Sequence, residues 1–267
     1  MTLNRYSAFT IHLLLSLLVF LSLVAVMYFY WFPGNLFFMD GGWQGIKLVA
    51  LVDLILGPLL TLCLFKRGKK GLVFDMSVIA CLQIAALAYG FYATYNQRIV
   101  GFVYADNRFN TLTITEHTSS SDRLREKGIE PVAIDSFGEN LPVTVYTEPF
   151  DSFSYGIYLE SIFNDFPEIR ERSDKYLPIS KHLNDLATTQ LWQNELENSG
   201  QLSRIQEMLA KKGFDESKVE LYPLKARYES GIAVFDPARH EIVDVLRHPE
   251  FEQIERNRMA VSSNEEE

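Results

Sequence analysis

Asp53 is the residue in this 267-residue chain whose setting points most directly to chemistry. It stands in Leu51-Val52-Asp53-Leu54-Ile55-Leu56-Gly57-Pro58-Leu59-Leu60, an otherwise apolar run. An ionisable group in such a run is expensive. By default it faces other helices, where it can carry a proton or hold a polar group. Pro58 has no N–H, so the carbonyl of Leu54 loses its helical partner, and Gly57 lets a neighbouring helix come close. Asp53, Gly57 and Pro58 therefore read as one kinked, small-sided contact surface with a polar group one turn above it. It serves either another helix or small ligand, or the internal attachment of the chain's own helices.

Other chemistry finds little support. His117, His182, His240 and His248 are scattered, without an HExxH pair or a nearby cysteine, so no metal site is expected. Gly41, Gly42 and Gly45 lack the Gly-Lys-Ser/Thr ending of a phosphate loop. Ser154-Tyr155-Gly156 lacks the frame of a nucleophile elbow. The carboxylates show no spacing that singles out an acid/base pair. Cys63 and Cys81 lie in apolar segments and are not read as reactive. The rest of the chain has no cysteine and must fold without disulfides. The expectation is a protein that is not an enzyme and holds no cofactor.

The elements that must position Asp53 are set by Phe65-Lys66-Arg67-Gly68-Lys69-Lys70-Gly71. Hydrophobic segments run into this stretch and out of it, each long enough at about 1.5 Å per residue to cross a ~30 Å hydrocarbon core. Lys66, Arg67, Lys69 and Lys70 between two spans mark a cytoplasmic loop. The segments read as a cytoplasmic lead over 1–9, membrane helices over 10–32, 46–65 and 72–95, an outer loop over 33–45 and the basic loop over 66–71. The first run is too long for a signal peptide and ends in Tyr28-Phe29-Tyr30-Trp31-Phe32 rather than a cleavage site. His12, Ser16 and Ser22 are polar positions on it, suited to hydrogen bonds between helices or to its own carbonyls. Asp53 lies 13 residues before Lys66 and Gln83 lies 13 residues after Lys70. In an antiparallel hairpin the two share one depth, so a hydrogen bond between them is expected. Asp75 is expected to pair with the basic loop.

Charge divides the chain. Residues 1–97 carry three acids and six bases, whereas the whole chain is −9, which leaves −12 on residues 98–267. An acidic domain is a poor partner for nucleic acid, whose affinity comes from phosphate neutralisation. The second half reads as an α+β domain with an antiparallel sheet over 96–261, followed by a disordered acidic tail over 262–267. Strands are expected at Ile99–Tyr104, Thr111–Thr115, Pro131–Asp135, Leu141–Tyr146 and Val219–Tyr222. A hairpin of Gly231–Phe235 and Glu241–Leu246 should turn at Asp236-Pro237-Ala238-Arg239. Helices are expected after Ser119-Ser120-Ser121, over Ile179–Asn198 with Ser180 as its cap, and over Leu202–Lys212, stopped by Gly213. Ser154–Phe163 fits either element type.

Several of these stretches together resemble the TfpX/TfpZ family of type IV pilin accessory proteins. They are His12-Leu-Leu-Leu-Ser, Trp31-Phe-Pro-Gly, Val52-Asp-Leu-Ile-Leu-Gly-Pro-Leu-Leu-Thr and Phe65-Lys-Arg-Gly-Lys-Lys-Gly-Leu-Val-Phe-Asp-Met-Ser-Val-Ile-Ala. The match is densest from Leu51 to Gly90 and diffuse beyond Phe150. The family's Asp-Arg-Phe after the third helix stands here as Ala105-Asp106-Asn107-Arg108-Phe109, from which Asn107 departs. The resemblance implies a multi-pass inner-membrane protein with three transmembrane helices, a cytoplasmic N-terminus and a C-terminal periplasmic α+β domain. It implies an accessory role in pilus biogenesis and twitching motility, as a pilin-specific chaperone or assembly factor. The implied partners are the major type IV pilin, the inner-membrane assembly machinery and membrane lipid.

Under that reading Asp53, Gly57, Pro58 and Gln83 are candidates for contact with the pilin helix. Phe102, Tyr104, Arg108 and Phe109 are candidates for contact with its globular head. A periplasmic sensor is weakened by the lack of a cytoplasmic output domain. A membrane enzyme or transporter using Asp53 is weakened by the lack of a second ionisable partner in the core.

Overall fold

The computed structural model describes residues 4–148, 163–186 and 200–247, together with Gly156, Leu159, Leu196 and Glu197. The chain divides into two compact units, Met1–Arg98 and Ile99–Glu267.

The first unit is helical. Helix α1 spans Arg5–Val26 and is capped by Asn4, whose side chain accepts from Ser7 N–H. A π-helical turn, Met27–Trp31, extends it. After the short α2, Leu36–Met39, the chain enters α3, Gly42–Ala50, a second π-helical segment, Leu51–Leu56, and α4, Gly57–Leu64, as one continuous rod. Helix α5 spans Leu72–Asn96. Arg5–Trp31, Gly42–Leu64 and Leu72–Asn96 are long and apolar enough to cross a membrane. Their outward faces carry Leu14, Leu18, Ile55, Leu82 and Ile84, all more than half exposed. That surface suits lipid and not water.

Both π-helical segments end just before a proline, and the cause is the missing donor. Pro33 would have served the carbonyl of Phe29 and Pro58 that of Leu54. The chain widens instead of breaking: Phe32 N–H bonds to Met27 O at 2.8 Å, and Gly57 N–H bonds to Val52 O. Such insertions rotate the side chains they carry and recur at functional sites. The second of them carries Asp53.

The second unit holds a seven-stranded sheet in the order β4-β3-β1-β2-β5-β6-β7. Its strands are β1 Ile99–Ala105, β2 Arg108–Thr113, β3 Val143–Thr147, β4 Tyr176–Pro178, β5 Glu220–Lys225, β6 Ser230–Asp236 and β7 Glu241–Leu246. Helices α6, Ile114–Glu126, and α7, Leu202–Lys211, accompany it. The sheet is mixed and not antiparallel: β1 pairs parallel with β3, and β2 pairs parallel with β5. The long connections after β2 and β3 allow this, since parallel neighbours need crossovers.

One sheet face buries two apolar clusters. One gathers Val103, Ala105, Leu112 and Val145 with Ile134 and Ile169; the other gathers Leu221, Ile232 and Val234 with Ile205 and Leu209 of α7. The other face is aromatic. Tyr104, Phe109, Tyr222 and Phe235 pack with ring centroids 5.1–6.0 Å apart. Strand β7 comes round to β3, where Ile242 N–H donates to Thr144 Oγ1 at 3.4 Å. The sheet thus curls over its aromatic face.

Several sequence expectations are corrected here. Pro131–Asp135 forms no strand; a 3₁₀ turn at Ile134–Phe137 takes its place. The serines do not cap α6 but lie within it. Thr113 is the cap, in a reciprocal pairing with Glu116 that satisfies two free N–H groups. Thr111–Thr115 is strand only to Thr113 for the same reason. The described start of Ile179–Asn198 is two 3₁₀ turns, Ile179–Lys181 and Leu183–Asp185, not a helix capped by Ser180. The hairpin of β6 and β7 forms as expected. Ser154, Tyr155, His248 and the acidic tail lie outside the described residues.

Burial in this unit has a pH consequence. His117 on α6 is half-buried, and loss of solvent lowers its pKa below 6.5, against the pull of Asp135 and with the push of Arg125. The unfolded chain then binds a proton that the folded chain does not. The stabilising contribution is complete above pH 6.5 and is lost as pH falls from there through the folded-state value. Thermal melting of the full-length protein across mildly acid pH should show this loss, and His117→Gln should flatten it. An unchanged pH profile in the variant would remove His117 as the cause.

Candidate functional site

The site is the polar interior of the helical unit. Asp53 is the midpoint of the 23-residue rod Gly42–Leu64 and is only 8% exposed. Its Oδ1 accepts two hydrogen bonds, from Gln83 Nε2 of α5 at 3.1 Å and from Ser16 Oγ of α1 at 3.2 Å. One carboxylate oxygen therefore ties all three long helices. Sequence depth alone led to the Gln83 bond. Ser16 was legible only as a polar position with no named partner.

Gly57 makes the Gln83 bond possible. A Cβ there would lie 1.8 Å from Gln83 Nε2 and 2.4 Å from its Cδ. The missing side chain is the space the amide occupies. Two turns further along the seam, a Cβ on Gly90 would meet Val49 Cγ2 at 3.0 Å, so this too is a close helix approach. Small residues bring helices together in this way where lipid supplies no hydrophobic drive. Pro58 is buried beside Gly57 and produces the π-helical widening. The structure thus brings Asp53, Gly57, Pro58 and Gln83 together. Of these, Gly57 and Gln83 contact each other, which is the internal use.

A second interhelical bond lies towards the basic turn. His12 Nδ1 and Thr61 Oγ1 are 2.6 Å apart, with Thr61 buried. Thr61 went unnoticed in sequence because threonine is common in apolar helices. Its spacing of two turns from Asp53 was the available signal. Lys66, Arg67, Lys69 and Lys70 are exposed in the turn between α4 and α5. Lys69 pairs with Asp75, as the sequence suggested.

Asp53 is not fully satisfied. Its Oδ2 is buried and has no hydrogen-bond partner among the described residues. Beside it lies a cavity of about 110 Å³ lined by Val49, Val52, Asp53, Gln83, Ala86 and Gly90 among others. The lining is mostly apolar, with the Asp53 carboxylate, the Gln83 amide and the Tyr89 phenol as its polar members. Among the described residues no three of His, Cys, Asp and Glu are placed to hold a metal ion.

The sheet unit offers a larger cavity, about 330 Å³, where β3, β4 and the β6–β7 turn meet. Arg239 on its rim already lies 3.7 Å from Asp236 and 3.5 Å from Glu241. The four residues read as a head-contact surface fall differently. Phe102, Tyr104 and Phe109 are 3% exposed or less and form the aromatic sheet face; Arg108 is half-buried at the start of β2. The three rings are thus used within the sheet unit itself. The Asp106-Asn107 turn before Arg108 has both residues at positive φ, 51° and 58°. Asparagine and aspartate tolerate that conformation.

The chain is similar to fimbrial assembly proteins of Dichelobacter nodosus. It is 35% identical over 96 residues to the serogroup E1 protein, covering 35% of this chain and 37% of that one. It is 34% identical over 105 residues to the serogroup I protein, covering 39% and 41% respectively. It is 35% identical over 96 residues to the protein of serogroups C1 and C2, of which it covers 73% and which takes up 35% of this chain. The match thus spans about two fifths of the length of the first two relatives. No family model matches the chain, and no solved structure does. Three helices fit to cross a membrane, fastened by one buried carboxylate, accompany this kinship, and the chain belongs to the fimbrial assembly proteins.

Proposed function

We propose that this chain is an inner-membrane accessory factor for type IV pilus assembly, which binds the pilin subunit before or during its entry into the fibre. The similarity to fimbrial assembly proteins carries the reading, and the helical unit gives it a physical form. Three apolar helices supply a surface within the bilayer. The basic turn at Lys66–Lys70 sets them with both the turn and the N-terminus in the cytoplasm. The sheet unit then lies in the periplasm, beside the part of the subunit that projects from the membrane. Its acidic charge suits solubility there.

The test is co-isolation of the tagged full-length protein from its own host in mild detergent, with surface pili counted in a deletion strain. The expected result is recovery of the major pilin in near-equal amount and loss of surface pili in the deletion. Normal pili together with no recovered pilin would reject the reading.

A further inference from the structure

Asp53 and the cleft beside it hold an interaction that the three helices do not use themselves. Oδ1 takes both internal donors, while Oδ2, buried at the middle of a span, takes none among the described residues. An acceptor in hydrocarbon without a donor is costly, because no water is present to serve it. The adjoining cavity, about 110 Å³, has mostly apolar walls, Val49, Val52, Ala86, Leu87 and Gly90; Tyr89 also lines it but its hydroxyl does not serve Oδ2. That is room for one side chain and not for a helix.

We infer that this cleft receives a single donor-bearing side chain, a hydroxyl or an amide, from the membrane-spanning helix of the pilin subunit. The helix packs over α3 and α5 and places that donor on Asp53 Oδ2. The inference rests on the assembly reading above and adds the point of contact and its chemistry.

The occupant follows from complementarity. A lipid chain fills apolar space but brings no donor. A second copy of this chain is a poorer fit, because its lipid-facing side chains near the depth of Asp53 are aliphatic, such as Leu14, Leu18, Ile55, Leu82 and Ile84, apart from the thiol of Cys81, a weak donor. Ser22, though exposed, donates to its own Leu18 O at 2.9 Å. An apolar helix with one free donor matches both the walls and the acceptor.

The test places a photo-crosslinking residue at Val52 or Leu87, which line the cleft. Controls carry it at Ala85 or Ala88, exposed on the opposite side of α5. All are made in the full-length protein in its host. Pilin adducts are expected from the first pair and not from the second. Asp53→Asn keeps one carbonyl oxygen for Ser16 and Gln83 but puts an amide donor where the acceptor was. It should lower the adduct and the co-isolated pilin by about three- to thirty-fold, the range of one interhelical hydrogen bond. Ala86→Leu, which fills the cleft without touching the carboxylate, should lower them too, with each variant's amount in the membrane measured alongside.

If pilin co-isolates but crosslinks only from Ala85 or Ala88, or is indifferent to both variants, the inference fails and the assembly reading stands. Adducts between two copies of this chain from Val52 and Leu87 would also overturn it. If the parent protein recovers no pilin, the assembly reading itself has failed.

Discussion

Gly57→Ala should destabilise the helical unit by about 1–3 kcal/mol, the usual cost of overpacking a filled site. The added methyl would lie 1.8 Å from Gln83 Nε2, a distance no non-bonded pair tolerates. Either the helices separate or the amide withdraws. Withdrawal leaves Asp53 with Ser16 as the remaining donor among its described neighbours. Removing the amide by Gln83→Ala should cost about 0.6–2 kcal/mol, the value of an interhelical hydrogen bond.

The decisive variant is the pair. If Gly57 is glycine because Gln83 fills its space, Gly57→Ala/Gln83→Ala should be more stable than Gly57→Ala alone, since the clash has gone. Non-additivity of this sign is expected of residues in contact. Thermal unfolding of the full-length protein in mild detergent reads all three. Costs that simply add would show that the two sites do not compete for one space. Pilus counts in the same strains should follow the order of stability, because the seam holds the three long helices together.

This seam was more legible in sequence than the sheet unit, for a physical reason. In an apolar helix a polar group has few places to go, so depth along the rod nearly decides its partner. Asp53 and Gln83 were matched by counting from the basic turn, and Asp75 was matched to it by proximity. What counting could not supply was rotation. The π-helical turn before Pro58 changes which way Asp53 points, and only the structure shows Ser16 as its second donor.

In the sheet unit the signals conflict. Pro131–Asp135 has the composition of a strand, yet no neighbouring strand offers it an edge. Thr113 and Ile114 favour strand by type, yet Glu116 completes a cap and the helix begins. Short pieces such as Tyr176–Pro178 become strand only because β3 is beside them. Pairing across long loops decides these elements, and local pattern does not record it.

The rings of the sheet show how this matters for function, and Phe109→Ala should be the most damaging single change in that unit. Phe109 is fully buried on the curled face, between Tyr104 at 5.1 Å, Tyr222 at 5.4 Å and Phe235 at 5.8 Å. Its removal leaves a cavity ringed by side chains that are themselves locked by the sheet, so little can collapse into it. The expected cost is about 3–5 kcal/mol. Against the ~5–15 kcal/mol that holds a typical domain together, that leaves the unit open to protease at growth temperature.

Phe163→Ala is the comparison, because the same deletion is made at a side chain 89% exposed. It should alter stability by no more than about 0.5 kcal/mol. The pair separates two explanations of one phenotype. If Phe109 contacts the subunit directly, Phe109→Ala loses pilin while keeping its melting temperature and protease resistance. If the ring is core, pilin recovery and fold are lost together, and growth at lower temperature restores both in part. Burial of the ring on every side favours the second result, and limited proteolysis of the full-length protein with and without the substitution decides it.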